Sequence, residues 1–192
     1  VDTIGREIVA RVLAVPDVRL VYKPHPRVAT SDDPGMHAAH CAIVAMLADA
    51  AAADPAAGHV SLIDADILAV SPDCDAMVPD VSSVGLDWLS LRTERPLLIA
   101  DRHDDPERLR LAAPVSRCAD VLDSESVRDL TGLLADRLDH DELHLARIAM
   151  RHHYFDDVKV GDSTARFLDA VTELAVLRDT LVSGWAEQAI AT

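Results

Sequence analysis

Val18-Arg19-Leu20-Val21-Tyr22 is an apolar, β-branched run of strand length that stops at Lys23-Pro24-His25-Pro26. Two prolines so close together cannot continue a ladder, so the run predicts a buried strand with a stiff loop at its carboxyl end. Upstream, Ile4, Ile8 and Val12 recur at helical spacing behind Thr3 as a cap, and Pro16-Asp17 ends that helix. Downstream, a polar loop over 30–35 leads to an Ala-rich helix over 36–53, closed by Asp54-Pro55.

The same rhythm repeats. Val60–Ile63 predicts a strand, 65–70 a short helix and Asp75–Val78 a strand. Pro79-Asp80-Val81-Ser82-Ser83 then leads into a helix over 84–91, and Pro96–Ala100 reads as another buried strand. A loop over 101–106 and a short helix precede Cys118–Val121, an edge strand. Val127, Leu130, Leu133, Leu134 and Leu138 stripe one helix, entered through Ser124 or Ser126. A last helix from about Ser163 carries Phe167, Leu168, Val171, Leu174 and Leu181 on one face. Alternating strands and helices predict an α/β domain with a doubly wound, Rossmann-like parallel sheet over residues 1–192, with 163–192 as a terminal helical region.

Composition narrows the partners. The 192 residues carry 33 acidic side chains against 18 Lys and Arg, a formal net charge of −15, and only 3% aromatics. This balance argues against single-strand nucleic-acid binding, which relies on aromatic stacking platforms and a positive groove, so no nucleic-acid partner is expected. It also opposes direct contact with an anionic membrane surface. A small anionic ligand stays compatible, because local N–H groups outweigh a diffuse field. No apolar run approaches the roughly 20 residues of a membrane span, and no signal peptide opens the chain. The start at Val1 on a helical pattern reads as a piece cut from a longer protein. Three widely spaced cysteines, Cys41, Cys74 and Cys118, indicate neither a disulfide framework nor a CxxC site, and fit a cytoplasmic protein.

In such sheets ligands bind where strands end, and the two unusual junctions both stand there. Lys23 and His25 sit on a proline-stiffened loop, one able to neutralise a phosphate and the other to donate or shuttle a proton. The plain alternative is a strand-terminating turn. Asp80, Ser82 and Ser83 precede a helix whose first-turn N–H groups and dipole form an anion site, with Asp87 one turn in. The plain alternative there is an N-cap.

Taken in order, Lys-x-His-Pro (Lys23, His25, Pro26), Asp-x-Ser-Ser-Val-x-x-Asp (Asp80, Ser82, Ser83, Val84, Asp87), Pro-Leu-Leu-Ile at 96–99 and Gly-x-Ser-Thr-x-Arg (Gly161, Ser163, Thr164, Arg166) resemble one family. They look like the carboxy-terminal half of the CDP-glycerol:poly(glycerophosphate) glycerophosphotransferases, which assemble teichoic-acid-type polymers. Val81 stands where that family usually carries tyrosine.

The resemblance implies one half of a GT-B architecture and an enzyme that takes CDP-glycerol as substrate without a further cofactor. An acceptor hydroxyl would attack the donor β-phosphorus and release CMP. His25 would stand beside the transferred group, Lys23 or Arg27 would balance charge, and Ser82 and Ser83 would meet the pyrophosphate. Asp80 and Asp87 flank that site, and Ser163 and Thr164 mark a second phosphate position or the cap of the last helix. The polymer or lipid-linked acceptor would enter through an amino-terminal domain missing from this chain, which alone would be inactive. The full protein would then lie in the cytoplasm, peripheral at the inner face of the membrane. The rivals are a transferase of UDP- or GDP-sugars and an inert nucleotide-binding module.

Other constellations carry less. His37 with His40, and His140 with His144 beside Asp139, Asp141 and Glu142, share helix faces, but tetrahedral zinc needs three or four convergent ligands, so no metal is expected. Ser82, His25 and Asp87 make a hydrolase triad only on paper, for the GxSxG elbow is missing. GxxxxGK[ST] and GxGxxG are missing too.

Overall fold

The computed structural model describes residues 4–159 and 161–190; the expected Thr3 cap lies outside them. Helix α1 (Gly5–Leu13) buries Val9 and Val12. It is followed by β1 (Val21–Tyr22) and a single-turn helix α2 (Pro26–Ala29), where the sequence predicts only a stiff loop. Helix α3 (Pro34–Ala53) starts because the Asp33 carboxylate accepts the N–H groups of Gly35 and Met36 while Pro34 fills the first position. Strand β2 (Val60–Ser61), α4 (Ile67–Val70), α5 (Val84–Leu91), β3 (Leu98–Ala100), α6 (Pro106–Ala112) and β4 (Asp120–Leu122) follow. Helices α7 (Leu130–Asp139), α8 (His144–Phe155) and α9 (Asp162–Ile190) complete the described residues.

Among the described residues the doubly wound, Rossmann-like sheet predicted from the sequence is not found, and the half of a GT-B architecture built on it falls with it. The strands form two separate two-stranded sheets, β1 with β2 and β3 with β4, both parallel. Each strand is only two or three residues long, and helices dominate the chain. Prolines supply part of the physical reason. The segment at 77–80 makes isolated parallel bridges to the third strand, Met77 with Leu97 and Asp80 with Ala100. Met77 N–H donates to the Pro96 carbonyl, Leu98 N–H to Met77 and Ala100 N–H to Pro79, at 2.9–3.2 Å. The next donor in that ladder belongs to position 79, and proline has no N–H to give.

Packing, more than pairing, holds the elements. Val12 of α1 and Val15 just after it, Leu98 of β3, Leu122 of β4 and Val127, Leu130 and Leu134 form one buried cluster. Leu20 and Val78 pack against it, so both sheets reach the same core. Val9, Ile43 and Leu47 join α1 to α3 in a second cluster. Contrary to the sequence expectation, α3 is 20 residues long with a mean hydropathy of 1.4, long and apolar enough by length and composition to cross a membrane. Here it buries one face, Ala39, His40, Ile43 and Leu47. The chain divides into two compact units, Val1–Tyr154 and Phe155–Thr192. The first holds both sheets; the second holds α9, whose Phe167, Leu168, Val171, Leu174 and Leu181 are exposed.

Candidate functional site

At the end of β1 the Lys23 ammonium donates to the Pro24 carbonyl at 3.0 Å and to the Ile63 carbonyl at 2.9 Å. It therefore ties the loop after β1 to the loop after β2. His25 is the N-cap of α2: its Nδ1 accepts the Arg27 backbone N–H at 3.1 Å. Both His25 and Arg27 are exposed. Behind this loop the Tyr22 hydroxyl meets Nδ1 of the buried His40 at 3.1 Å. Burial pushes the Tyr22 phenol up to about 12. His40 thus belongs to the packing of α3 on β1. His37, on the exposed side of α3, instead contacts Cys41 Sγ at 3.6 Å, so the two histidines do not converge on one ion.

The second junction is built differently. Asp80 pairs with Ala100, and Ala100 pairs with Leu122. The segments that follow, 81–83, 101–105 and 123–126, therefore leave neighbouring strands side by side. Ser82 and Ser83 are exposed. Ser83 occupies the N-cap position of α5 with helical backbone angles (φ −61°, ψ −20°), and its side chain makes no capping bond. A serine that caps adopts extended angles and turns its oxygen onto the first-turn N–H groups; Ser83 does neither. Its carbonyl accepts the Leu86 and Asp87 N–H groups at 2.9 and 3.0 Å, while its hydroxyl takes no part in capping the helix. Gly85 lies buried one step in, where a Cβ would stand 3.9 Å from Val115. Asp87 is half-buried.

The flanking loops are stiffened by carboxylates that were not among the residues singled out from the sequence. Asp101 is 2% exposed. Its two oxygens accept the N–H groups of His103 at 2.9 Å and Asp105 at 2.8 Å, while its own N–H donates to Leu122 at 2.7 Å. Asp104, at φ 53°, accepts the Ser124 N–H at 2.7 Å and so links the loops after β3 and β4. The Asp123 carboxylate gathers the Ser126 N–H and hydroxyl, both at 2.7 Å, and the Glu125 N–H. The Ser126 bonds hold its carboxyl below the ordinary range. The signal for these loops was present as Asp-x-His and Asp-x-x-Ser, short-range patterns in which a carboxylate folds back on its own backbone. Next to Ser124 an open groove is lined by Ile4, Glu7, Arg11, Val127 and Arg128.

The predicted residues thus fall into three groups. Lys23, His25 and Arg27 share the passage from β1 into α2. Asp80, Ser82, Ser83 and Asp87 share the turn into α5. Among the described residues no hydrogen bond joins Ser82, His25 and Asp87. Ser163 and Thr164 lie in the first turn of α9, exposed, in the second unit. His144, paired on paper with His140, contacts the Thr93 carbonyl through Nδ1 at 3.2 Å, next to Arg147. No family model, no curated protein and no solved structure matches this chain.

Proposed function

We propose that this chain binds the nucleotide diphosphate donor of a phosphoryl-transfer enzyme, with CDP-glycerol as the donor. The carrying observation is Ser83, which holds helical backbone angles and leaves its hydroxyl unused by the helix that it opens. Two exposed serines stand at the positive end of α5, beside a loop that the buried Asp101 keeps rigid. Such an arrangement suits an oxyanion despite the net charge of −15, because N–H donors act at contact distance and the global field is screened. Phosphoryl transfer needs positioning and charge neutralisation more than covalent chemistry. His25 and Arg27 supply a second polar edge toward the transferred glycerol phosphate, and an acceptor hydroxyl displaces CMP. The choice of cytidine and glycerol phosphate within that reaction class rests on the resemblance of the sequence motifs to the CDP-glycerol glycerophosphotransferases.

Isothermal titration with CDP, UDP and GDP tests this reading. The chain is expected to prefer CDP, and Ser82→Ala/Ser83→Ala to weaken CDP about tenfold, as removing hydrogen bonds to a charged ligand does. Because neither angle nor bond makes Ser83 a working cap, the urea midpoint of that variant should hardly move. Unchanged CDP affinity alongside a lowered midpoint would return both serines to a structural role.

A further inference from the structure

The bond from Arg27 N–H to His25 Nδ1 fixes more than the start of α2. To accept a hydrogen bond, Nδ1 must present its lone pair, so the proton of the neutral imidazole resides on Nε2. A ring in that state has no second lone pair with which to take a proton from an acceptor hydroxyl. Pro24 and Pro26 flank His25 and restrict the backbone on both sides, so the capped geometry is costly to abandon. Releasing Nδ1 would give up this cap and hand the Arg27 N–H to water.

We propose that His25 serves as a neutral N–H donor, offering its exposed Nε2–H to a phosphoryl oxygen of the ligand, and is not a general base. The proposal rests on the donor-binding reading above and narrows it. The histidine recognises the oxyanion without needing a positive charge, and deprotonation of the acceptor falls to another group. The ligand edge that meets His25 must therefore be an acceptor, as phosphate diester oxygens are.

Two measurements on the full 192-residue chain separate this from its rivals. In ¹⁵N-labelled protein above pH 7.5, with the resonance assigned through His25→Asn, His25 should show an unprotonated Nδ1 and a protonated Nε2. An Nδ1–H tautomer would overturn the proposal outright. In the second, CDP-glycerol is titrated into wild type and His25→Asn from pH 6 to pH 8.5. Its diphosphate is a diester whose charge stays constant over that range. Asparagine can still accept the Arg27 N–H but cannot extend a donor to the position of Nε2. Wild type should bind about ten- to a hundredfold tighter than the variant, and the ratio should persist to pH 8.5. A ratio that collapses to one by pH 8.5 would make His25 a cationic contact and defeat the neutral-donor role. If wild type does not bind CDP-glycerol at all, the functional reading fails and takes the phosphoryl partner with it. The tautomer is still decided by the spectrum alone.

Discussion

At the scale of single residues, the same chemistry that suggested ligand binding is partly engaged in holding the chain. Lys23 is the clearest case. Two of its three N–H donors are taken by the Pro24 and Ile63 carbonyls. Lys23→Met keeps the aliphatic stem and strips both bonds, so the urea midpoint should fall by an amount equivalent to about 1–2 kcal/mol. CDP affinity should stay within about twofold; a large loss of affinity at an unchanged midpoint would assign the ammonium to the ligand instead. Cys118 gives a prediction in pH. Its side chain is fully buried, with Sγ 3.1 Å from the Val115 carbonyl. Burial pushes the thiol up from 9.0 to about 11, against a smaller opposing pull from Arg147. The folded chain therefore keeps a proton that the unfolded chain loses, and stability must fall as pH rises through that window. The loss between pH 9 and pH 11 should reach about 1–2 kcal/mol, allowing for partial solvation. Comparing urea melts of wild type and Cys118→Ala across pH 8–11 reads it as a gap that narrows with pH. Tyr22, raised from 10.0 to about 12, adds a later fall common to both proteins. A gap that stays constant to pH 11 would show that the thiol titrates alike in both states.

At the scale of elements, what the sequence disclosed and what it hid divide along a physical line. Periodicity is a local property, and the helices it predicted at 4–12, 36–53, 84–91 and from about 163 all appear within a few residues. Sheet formation is not local. The runs at 18–22, 60–63, 75–78, 96–100 and 118–121 do adopt parallel neighbours, but whether they join into one sheet depends on partners and on every donor in the ladder. A single proline at 79 interrupts the pairing that composition alone made plausible. The site divides the same way. That Ser82 and Ser83 open a helix was legible from the turn residues before them. That Ser83 opens it with helical angles and an unused hydroxyl was not, because capping is a matter of one torsion. Asp101 was hidden for the opposite reason. A run of acidic residues at 101–107 looks solvated, and only the fold shows the first of them buried, bonded through its N–H to the Leu122 carbonyl, with both carboxylate oxygens occupied.

At the scale of the whole molecule, the division into two units makes a prediction about which part carries the binding site. Both buried clusters, both sheets, the loop at 23–27 and the turn at 80–87 belong to the first unit. The second unit is dominated by one long helix that displays Phe167, Leu168, Val171, Leu174, Val176, Leu177, Leu181 and Val182 to solvent. A helix of that kind draws little stability from propensity alone, and so many exposed large apolar side chains on one element favour self-association. A chain ended after Asp157 retains α8 in full and every residue of the two clusters. It should unfold in urea in one cooperative transition, at the midpoint of the main transition of the full chain. It should bind CDP with unchanged affinity and sediment as a monomer at concentrations where the full chain associates. Loss of the cooperative transition would mean that the first unit depends on residues 158–192 for its fold. A cooperative transition with CDP binding abolished would place part of the ligand site, Ser163 and Thr164 foremost, on the second unit.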